Sequence, residues 1–505
     1  MAIFLGIDNG GTKIKAGLYR EDGTEIAVFS MDSPSIHPRF GFAERDMELL
    51  WNTNCQIIKG VLQTSGIDPH DITGVACCGH GKGLYLWGTD DAPVGNGILS
   101  TDNRAWKYPI HWRANGTDAA ASQYSCQHIV ACQPAPLLNW VEAHHPDAPG
   151  KTQWIFSCKD YIRFRLTGRA YAELTDCSGN GLLDLRSGTY SEPLLELLNI
   201  SRWKHALPPL CGPLEVAGTI TAQAAAETGL IEGTPVAGGM FDIDASALAA
   251  GIVSTDHLCV VAGTWSINEY ISPSPVLDGS IQMNSLYVLP GQFLIEESSS
   301  TSAGNLEWFI NTILPELKQS GDIYSQLNCW VEEIAPSEDT PVFLPFLMGS
   351  NMHPLARSAL VGVDNSHYRA HVIRSIYEGI VFSHRFHVDK LLRSRTVSPK
   401  SLRLTGGAAN SRPWVQMFAD VMGLPVEVVN ANETGTLGCA IAASVATGFY
   451  PDALSAVHNM CHIGSPVQPR PEYRTAYERK YQRYLAVAQA LESVWTGDRE
   501  AENGD

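Results

Sequence analysis

Twice in this chain a short apolar run enters a turn of glycine and threonine and continues at once as a second apolar run. The first copy is Ile3 to Ile7, Asn9-Gly10-Gly11-Thr12 and Ile14 to Tyr19; the second is His257 to Ala262, Gly263-Thr264 and Trp265 to Ile271. Turns this tight force the flanking runs to pair as antiparallel strands, so each copy predicts a β-hairpin. Recurrence of one design about 250 residues later reads as an internal duplication, with a domain boundary near residue 252.

The rest of the pattern alternates strands with helices. A third strand, Ile26 to Phe29, follows the Asp22-Gly23 turn. Met47, Leu50, Trp51, Cys55, Ile58, Val61 and Leu62 then recur at helical spacing, and Ile72 to Cys78 returns as a strand. Further helices are expected over Leu137 to Ala143, Tyr161 to Leu166, Leu306 to Ile313, His371 to Phe386, Arg412 to Met422 and Arg474 to Trp495. Further strands are expected at Pro235 to Ala237, Ser401 to Thr405 and Pro425 to Val429. Such alternation predicts an α/β protein. With 505 residues and 44% apolar content the chain can bury more than one core. The expected division is residues 1–252, residues 253–495 and a frayed polar tail at 496–505.

Lys and Arg number 35 and Asp and Glu 53, a formal charge of −18. That field disfavours nucleic acid or an anionic membrane as partner, since either is repelled over a Debye length of ~8 Å. The opening residues carry neither the basic flank nor the apolar run of a signal peptide, and no stretch reaches the ~18 apolar residues of a membrane span. A soluble cytoplasmic protein is expected. The twelve cysteines lie between Cys55 and Cys461 without a CxxC pair, which predicts reduced thiols in place of a disulfide framework or a zinc site.

Several segments combine residues that chemistry needs. Asp8-Asn9-Gly10-Gly11-Thr12-Lys13-Ile14-Lys15 joins two glycines, a hydroxyl and two cations in one turn, which suits a polyphosphate: glycine lets backbone N–H groups approach an anion closely, and lysine adds point charge. The same residues also suit an ordinary Asn-Gly hairpin with solvated lysines. No G-x-x-x-x-G-K-[ST] loop occurs. The second turn, Gly263-Thr264, invites a clamp on one phosphate chain from two domains. Phe241-Asp242-Ile243-Asp244 follows a strand and a Gly-Gly turn and precedes an alanine-rich helix. Asp244 is the expected helix cap and Asp242 the expected base for an attacking hydroxyl. Thr405-Gly406-Gly407-Ala408-Ala409-Asn410 joins a strand to a helix, where bare backbone accommodates a flat ligand and Asn410 offers a polar edge. Gly79-His80-Gly81-Lys82-Gly83 is either a ligand turn or a mobile one. Asp46 and Asp102 begin elements, and capping accounts for both.

Taken in order, these motifs resemble the FGGY family of carbohydrate kinases. Lys159-Asp160-Tyr161 with Leu166-Thr167-Gly168 resembles its KDY…LTG segment, and Asp176 to Gly179 its D-x-S-G turn. Its C-terminal signature is met by Ser358, Leu360, Gly362, Val363, His371, Val372, Ser375, Ile376, Tyr377 and Glu378. The resemblance implies two ribonuclease-H-like, actin-like ATPase domains with the active site in the cleft between them. It also implies transfer of the γ-phosphoryl group of MgATP to a terminal hydroxyl of a sugar or polyol. Asp242 is then the base, and Gly10, Gly11, Thr12, Lys15, Gly263 and Thr264 hold phosphates. Gly406, Gly407 and Asn410 face adenosine, and Asp8 meets Mg²⁺ through a bound water.

Segments such as Ala43 to Met47, Gly81 to Leu84, Ile98 to Asp102, Gly304 to Phe309 and Tyr377 to His384 are similar to the members acting on ketopentoses. That similarity implies L-xylulose as acceptor, with D-xylulose, ribulose, erythritol and 3-keto-L-gulonate as alternatives. His80, Gly81, Lys82, Asp102 and Asp242 are the implied acceptor contacts. Leu137 after Pro134-Ala135-Pro136, and Gly349-Ser350-Asn351, depart from the wider family pattern and argue against glycerol. Homodimers are common in the family.

Two rival readings make different demands. A ROK-type glucokinase shares the opening Gly6 to Lys13 but requires a CxCGxxGC zinc motif and a shorter chain. An actin-like ATP-binding sugar sensor without transfer activity has no need of Asp242.

Overall fold

A computed structural model describes residues 2–496. Among them the elements used below run β1 (Ile3–Asn9), β2 (Lys13–Arg20), β3 (Glu25–Asp32), α1 (Met47–Ser65), β4 (Ile72–Gly79), α2 (Cys158–Thr167), α3 (Leu174–Gly179), β5 (Val216–Thr219), β6 (Pro235–Ala237), β7 (Met240–Phe241), α4 (Asp242–Ala249), β8 (His257–Ala262), β9 (Ser266–Ser272), β10 (Phe293–Ser299), α5 (Gly304–Ile313), α6 (Ile323–Glu333), α7 (Arg369–Arg393), β11 (Ser401–Thr405), α8 (Arg412–Met422), β12 (Val426–Val428), α9 (Thr434–Ala446) and α10 (Arg474–Ala490).

The chain divides into two compact units. The first comprises residues 1–253, 271–295 and 433–462; the second comprises 254–270, 296–432 and 463–505. The continuous second domain expected over 253–495 is corrected on this point, because two of its segments pack into the first unit. Helix α9 shows why. It lies against β1, β4 and α4, and its composition, rich in glycine and alanine, permits that approach. Of the expected tail, Thr496 is still helical, its hydroxyl donating to the Glu492 carbonyl at 2.7 Å, and residues 497–505 lie outside the described residues.

In the first unit the sheet order is β5-β6-β4-β1-β2-β3, with β7 also paired to β4. Strand β1 is antiparallel to β2 and parallel to β4. Its residues are buried on both faces, and their period of two shows what covers each. Leu5 and Ile7 join an apolar core with Leu50, Trp51, Ile58 and Val61 of α1. Gly6 faces the other way, where a Cβ would stand 1.9 Å from the Thr436 carbonyl of α9. Only glycine admits that helix. Asp46 caps α1 by accepting from Leu49 N at 2.8 Å, and the helix ends on Gly66 in the left-handed region.

The second unit repeats this plan. Strand β8 is antiparallel to β9 and parallel to β11, which pairs in parallel with β12. The helix expected over His371 to Phe386 extends over Arg369–Arg393, and that over Leu137 to Ala143 over Pro134–His144. Ends move because capping and packing, which periodicity does not report, fix them. All twelve cysteines are free thiols. Among the described residues no helix is long and apolar enough to cross a membrane, and none of the His, Cys, Asp and Glu side chains gather in threes as a metal cage.

Candidate active site

Three parallel strands of the first unit end side by side. Asp8 pairs with Cys78 and Asn9 with Gly79, while Met240 and Phe241 of β7 pair with the same two residues. The residues that follow are therefore gathered at one sheet edge: the Gly10-Gly11-Thr12 turn, His80-Gly81-Lys82 and Asp242. Carboxyl ends of parallel strands are where ligands bind in α/β sheets, since the loops there are free of sheet pairing. Gly11 and Thr12 are exposed, and Asp242 is half-buried as the first residue of α4.

Each loop is fixed from beneath. Asn9 is fully buried and accepts from Asn54 Nδ2 at 2.8 Å, and its carbonyl receives His80 N at 3.1 Å. Arg45, fully buried, donates from Nη2 to the Gly11 carbonyl at 3.1 Å and so holds the phosphate-type turn from inside. His80 is buried, with Nε2 3.1 Å from the Tyr85 hydroxyl. Burial, reinforced by the Arg45 charge, brings its pKa down to about 3, so the ring is neutral at working pH. Gly81 admits no side chain: a Cβ there would stand 2.5 Å from the Phe241 ring. The His80-Gly81-Lys82 turn thus rests directly on the residue before Asp242.

Asp8 is half-buried, and burial raises its pKa against the opposing pull of Lys15. Its Oδ1 is buried without a hydrogen-bond partner. An orphaned carboxylate oxygen at an open strand end fits a hydrated Mg²⁺, which takes one or two carboxylates and keeps waters and phosphate oxygens for its other positions.

Three expectations change. Lys15 does not stand free at the turn; its ammonium forms an ion pair with Glu433, just before α9. Asp244 is not the helix cap: that position is Phe241, no side chain caps the helix, and Asp244 is buried inside the first turn. Asp102 is occupied. Its buried carboxylate accepts from Ala43 N at 2.7 Å, Arg104 N at 2.8 Å, Arg104 Nε at 3.0 Å and Arg104 Nη2 at 2.8 Å. Arg104 also bridges to Glu44 at 2.7 Å. No lone pair of Asp102 is left for a sugar hydroxyl.

The second unit carries a cavity of about 450 Å³. Gly263, Thr264, Gly304, Tyr324, Gly407 and Asn410 line it, and Tyr377 and Trp414 close one side with rings 4.3 Å apart. The two expected turns meet here because β8 and β11 are parallel neighbours. Gly406, at φ +83°, would place a Cβ 2.7 Å from the Ala262 backbone, so it is needed for the approach. Gly263 and Gly407 differ: each has open space where a Cβ would stand, and neither has a positive φ. Neither packing nor backbone conformation demands glycine at these two places, whereas a ligand seated against the backbone would. A mostly apolar cavity with a few polar groups suits a nucleoside.

Arg45 and Glu433, which hold the Gly11 carbonyl and Lys15, were not among the expected site residues. The Gly435-Thr436-Leu437-Gly438 spacing within a run of small residues was the available signal for α9, since paired glycines in a helical pattern indicate close packing.

The N-terminal domain model of the FGGY family of carbohydrate kinases matches residues 3–249, and its C-terminal domain model matches residues 258–447. The chain is 38% identical over 492 residues to the L-xylulose/3-keto-L-gulonate kinase of Escherichia coli (strain K12), covering 97% of each. It is 35% identical to a probable L-xylulose kinase of Pasteurella multocida (strain Pm70), covering 98% of this chain and 100% of the relative. A solved xylulose kinase from Rhodospirillum rubrum is similar with a TM-score of 0.85 at 27% identity, over 98% of this chain and 100% of that one.

Proposed function

This chain belongs to the FGGY family of carbohydrate kinases, and on that premise we propose that it phosphorylates a ketose, L-xylulose foremost, with Asp242 as base. It is a phosphotransferase with an alcohol acceptor and ATP as donor. The gathering of Asp8, His80 to Lys82 and Asp242 at adjacent strand ends carries the reading. Similarity to proteins described as L-xylulose and L-xylulose/3-keto-L-gulonate kinases supports the acceptor, with 3-keto-L-gulonate as the second candidate.

In this mechanism Asp242 accepts the proton of the attacking hydroxyl as phosphoryl transfer proceeds. The His80-Gly81-Lys82 turn orients the sugar beside it, and neutral His80 fixes that turn through its hydrogen bonds to the Gly81 carbonyl and the Tyr85 hydroxyl. The backbone N–H groups of Gly10, Gly11 and Thr12 receive developing negative charge, and Gly263, Thr264, Gly406, Gly407 and Asn410 hold the nucleotide. Mg²⁺, when bound with ATP near Asp8, neutralises phosphate charge. Positioning and preorganised charge supply most of the acceleration, and general-base help contributes about 10²–10⁴-fold. Since ATP is the donor, we place the reaction in the cytoplasm.

Asp242→Asn tests this. Steady-state ADP release over L-xylulose, D-xylulose, ribulose, 3-keto-L-gulonate, erythritol and glycerol should show turnover on a ketose. The variant should lose at least ~100-fold in kcat while its ATP affinity stays within about twofold. Undiminished sugar-dependent turnover in the variant overturns the base, and turnover on polyols alone overturns the acceptor.

A further inference from the structure

Beneath the acceptor turn and the base lies a buried charged cluster that transfer chemistry does not use. Lys159 Nζ stands 2.7 Å from Asp160, 3.3 Å from Glu173 and 3.6 Å from Asp176. Arg163 pairs with Asp160 at 2.9 Å. All five side chains are buried. Burial pushes the Asp176 carboxyl up to about 7 against the pull of Lys159, which shows how poorly this interior solvates charge. Buried ion clusters are weak sources of stability, so fixing a geometry is the better explanation for one.

Two arms leave the cluster, and the donor and acceptor roles along each are fixed. The Glu173 carboxylate accepts from Thr175 N at 2.7 Å and from the Thr175 hydroxyl at 2.8 Å. Its proton thus committed, the Thr175 hydroxyl can only accept from the backbone, and it receives Phe241 N at 3.0 Å. Phe241 directly precedes Asp242. On the second arm, Asn180 Nδ2 donates to Asp176 Oδ1 at 3.1 Å, which turns its carbonyl oxygen toward Lys82 N at 2.6 Å. Lys82 is held there at φ +61°, a conformation a non-glycine residue adopts only under restraint. Arg163 adds a third hold, donating to the Gly238 carbonyl in the turn before the base at 2.6 Å.

We propose that Thr175 and Asn180 are positioning residues with separate duties: Thr175 sets the base through Phe241, and Asn180 sets the acceptor turn through Lys82. The inference rests on the reading of Asp242 as base and His80 to Lys82 as acceptor contacts.

The two duties predict different kinetics. Thr175→Val keeps the shape and removes the hydroxyl, so kcat should fall about 10- to 100-fold with the sugar KM within about twofold. Thr175→Ser should recover kcat to within about threefold of the parent. Asn180→Leu should raise the sugar KM at least ~10-fold with kcat within about threefold. Parental kcat in Thr175→Val, parental sugar KM in Asn180→Leu, or proportionate losses in both variants overturn the assignment. Native-state hydrogen exchange on the unaltered protein tests it even where a variant does not fold: the amides of Phe241 and Lys82 should be protected, and rapid exchange at either overturns its arm. Asp242→Asn, measured alongside, separates the two layers. An inactive Asp242→Asn beside a fully active Thr175→Val removes the positioning role alone, whereas a fully active Asp242→Asn removes the base and the role of Thr175 with it.

Discussion

At Gly407 the absence of a side chain leaves the cavity open, room that the proposed nucleotide site uses, while one residue earlier, at Gly406, it serves the backbone. Gly407→Leu should leave the thermal midpoint within ~2 °C and raise the ATP KM at least ~10-fold, equivalent to ~1.4 kcal/mol, because its side chain enters the cavity. Gly406→Ala should instead destabilise by about 1–3 kcal/mol through its clash with Ala262 and its positive φ. Denaturant melts and ATP titration of both variants check the contrast; equal losses of stability would contradict it. His80 gives a pH signature. Its folded pKa of about 3 lies below the ordinary 6.5, so between those values the unfolded chain binds a proton that the folded chain does not. Its contribution is intact above 6.5 and is lost progressively as pH falls toward 3, at a slope approaching ~1.4 kcal/mol per pH unit. His80→Gln should remove that slope from urea melts taken between pH 4.5 and 6.5, and identical slopes in the two proteins would refute it.

Among the elements, the paired hairpins were legible because Gly-Gly-Thr and Gly-Thr turns permit little besides strand pairing, and α1 because its apolar spacing and its Asp46 cap agree. What sequence order conceals is long-range occupancy. Asp102 and Lys15 have the right chemistry for a site, yet Arg104 and Glu433 engage them. Asp244 looked like a cap beside the alanine-rich run, but α4 begins two residues earlier, which places it inside the first turn. Helix α9 escaped notice because its small residues make no amphipathic stripe; it is buried nearly all round and so has no polar face to mark its period. It also approaches closely the helix that Asp242 begins: a Cβ on Gly438 would lie 2.2 Å from the Ala245 carbonyl. Gly438→Ala should cost about 1–3 kcal/mol and displace α4. A lowered midpoint with a reduced kcat checks this, and an unchanged midpoint would show that α9 yields.

For the molecule as a whole, the proposed function assigns acceptor and base to residues of the first unit and the nucleotide to residues of the second. ADP alone should therefore slow hydrogen exchange at residues 263–264 and 407–411, and the sugar alone at 80–82 and 240–242. Protection of the acceptor turn by ADP with none at the cavity would reverse the assignment. The net charge of −18 says nothing of where phosphate goes, since in the proposed site backbone N–H groups and a carboxylate oxygen suited to a cation act locally.

The return of residues 433–462 to the first unit also sets a clock on synthesis. Strands β1 and β4 leave the ribosome early, but the sheet face that takes α9 stays open until residue 446 has been made. At about 5–20 residues per second, the interval after α4 emerges lasts roughly 10–40 s. Throughout that time the glycine-lined face around Gly6 is uncovered, so the first unit reaches its finished form only after most of the second has been translated.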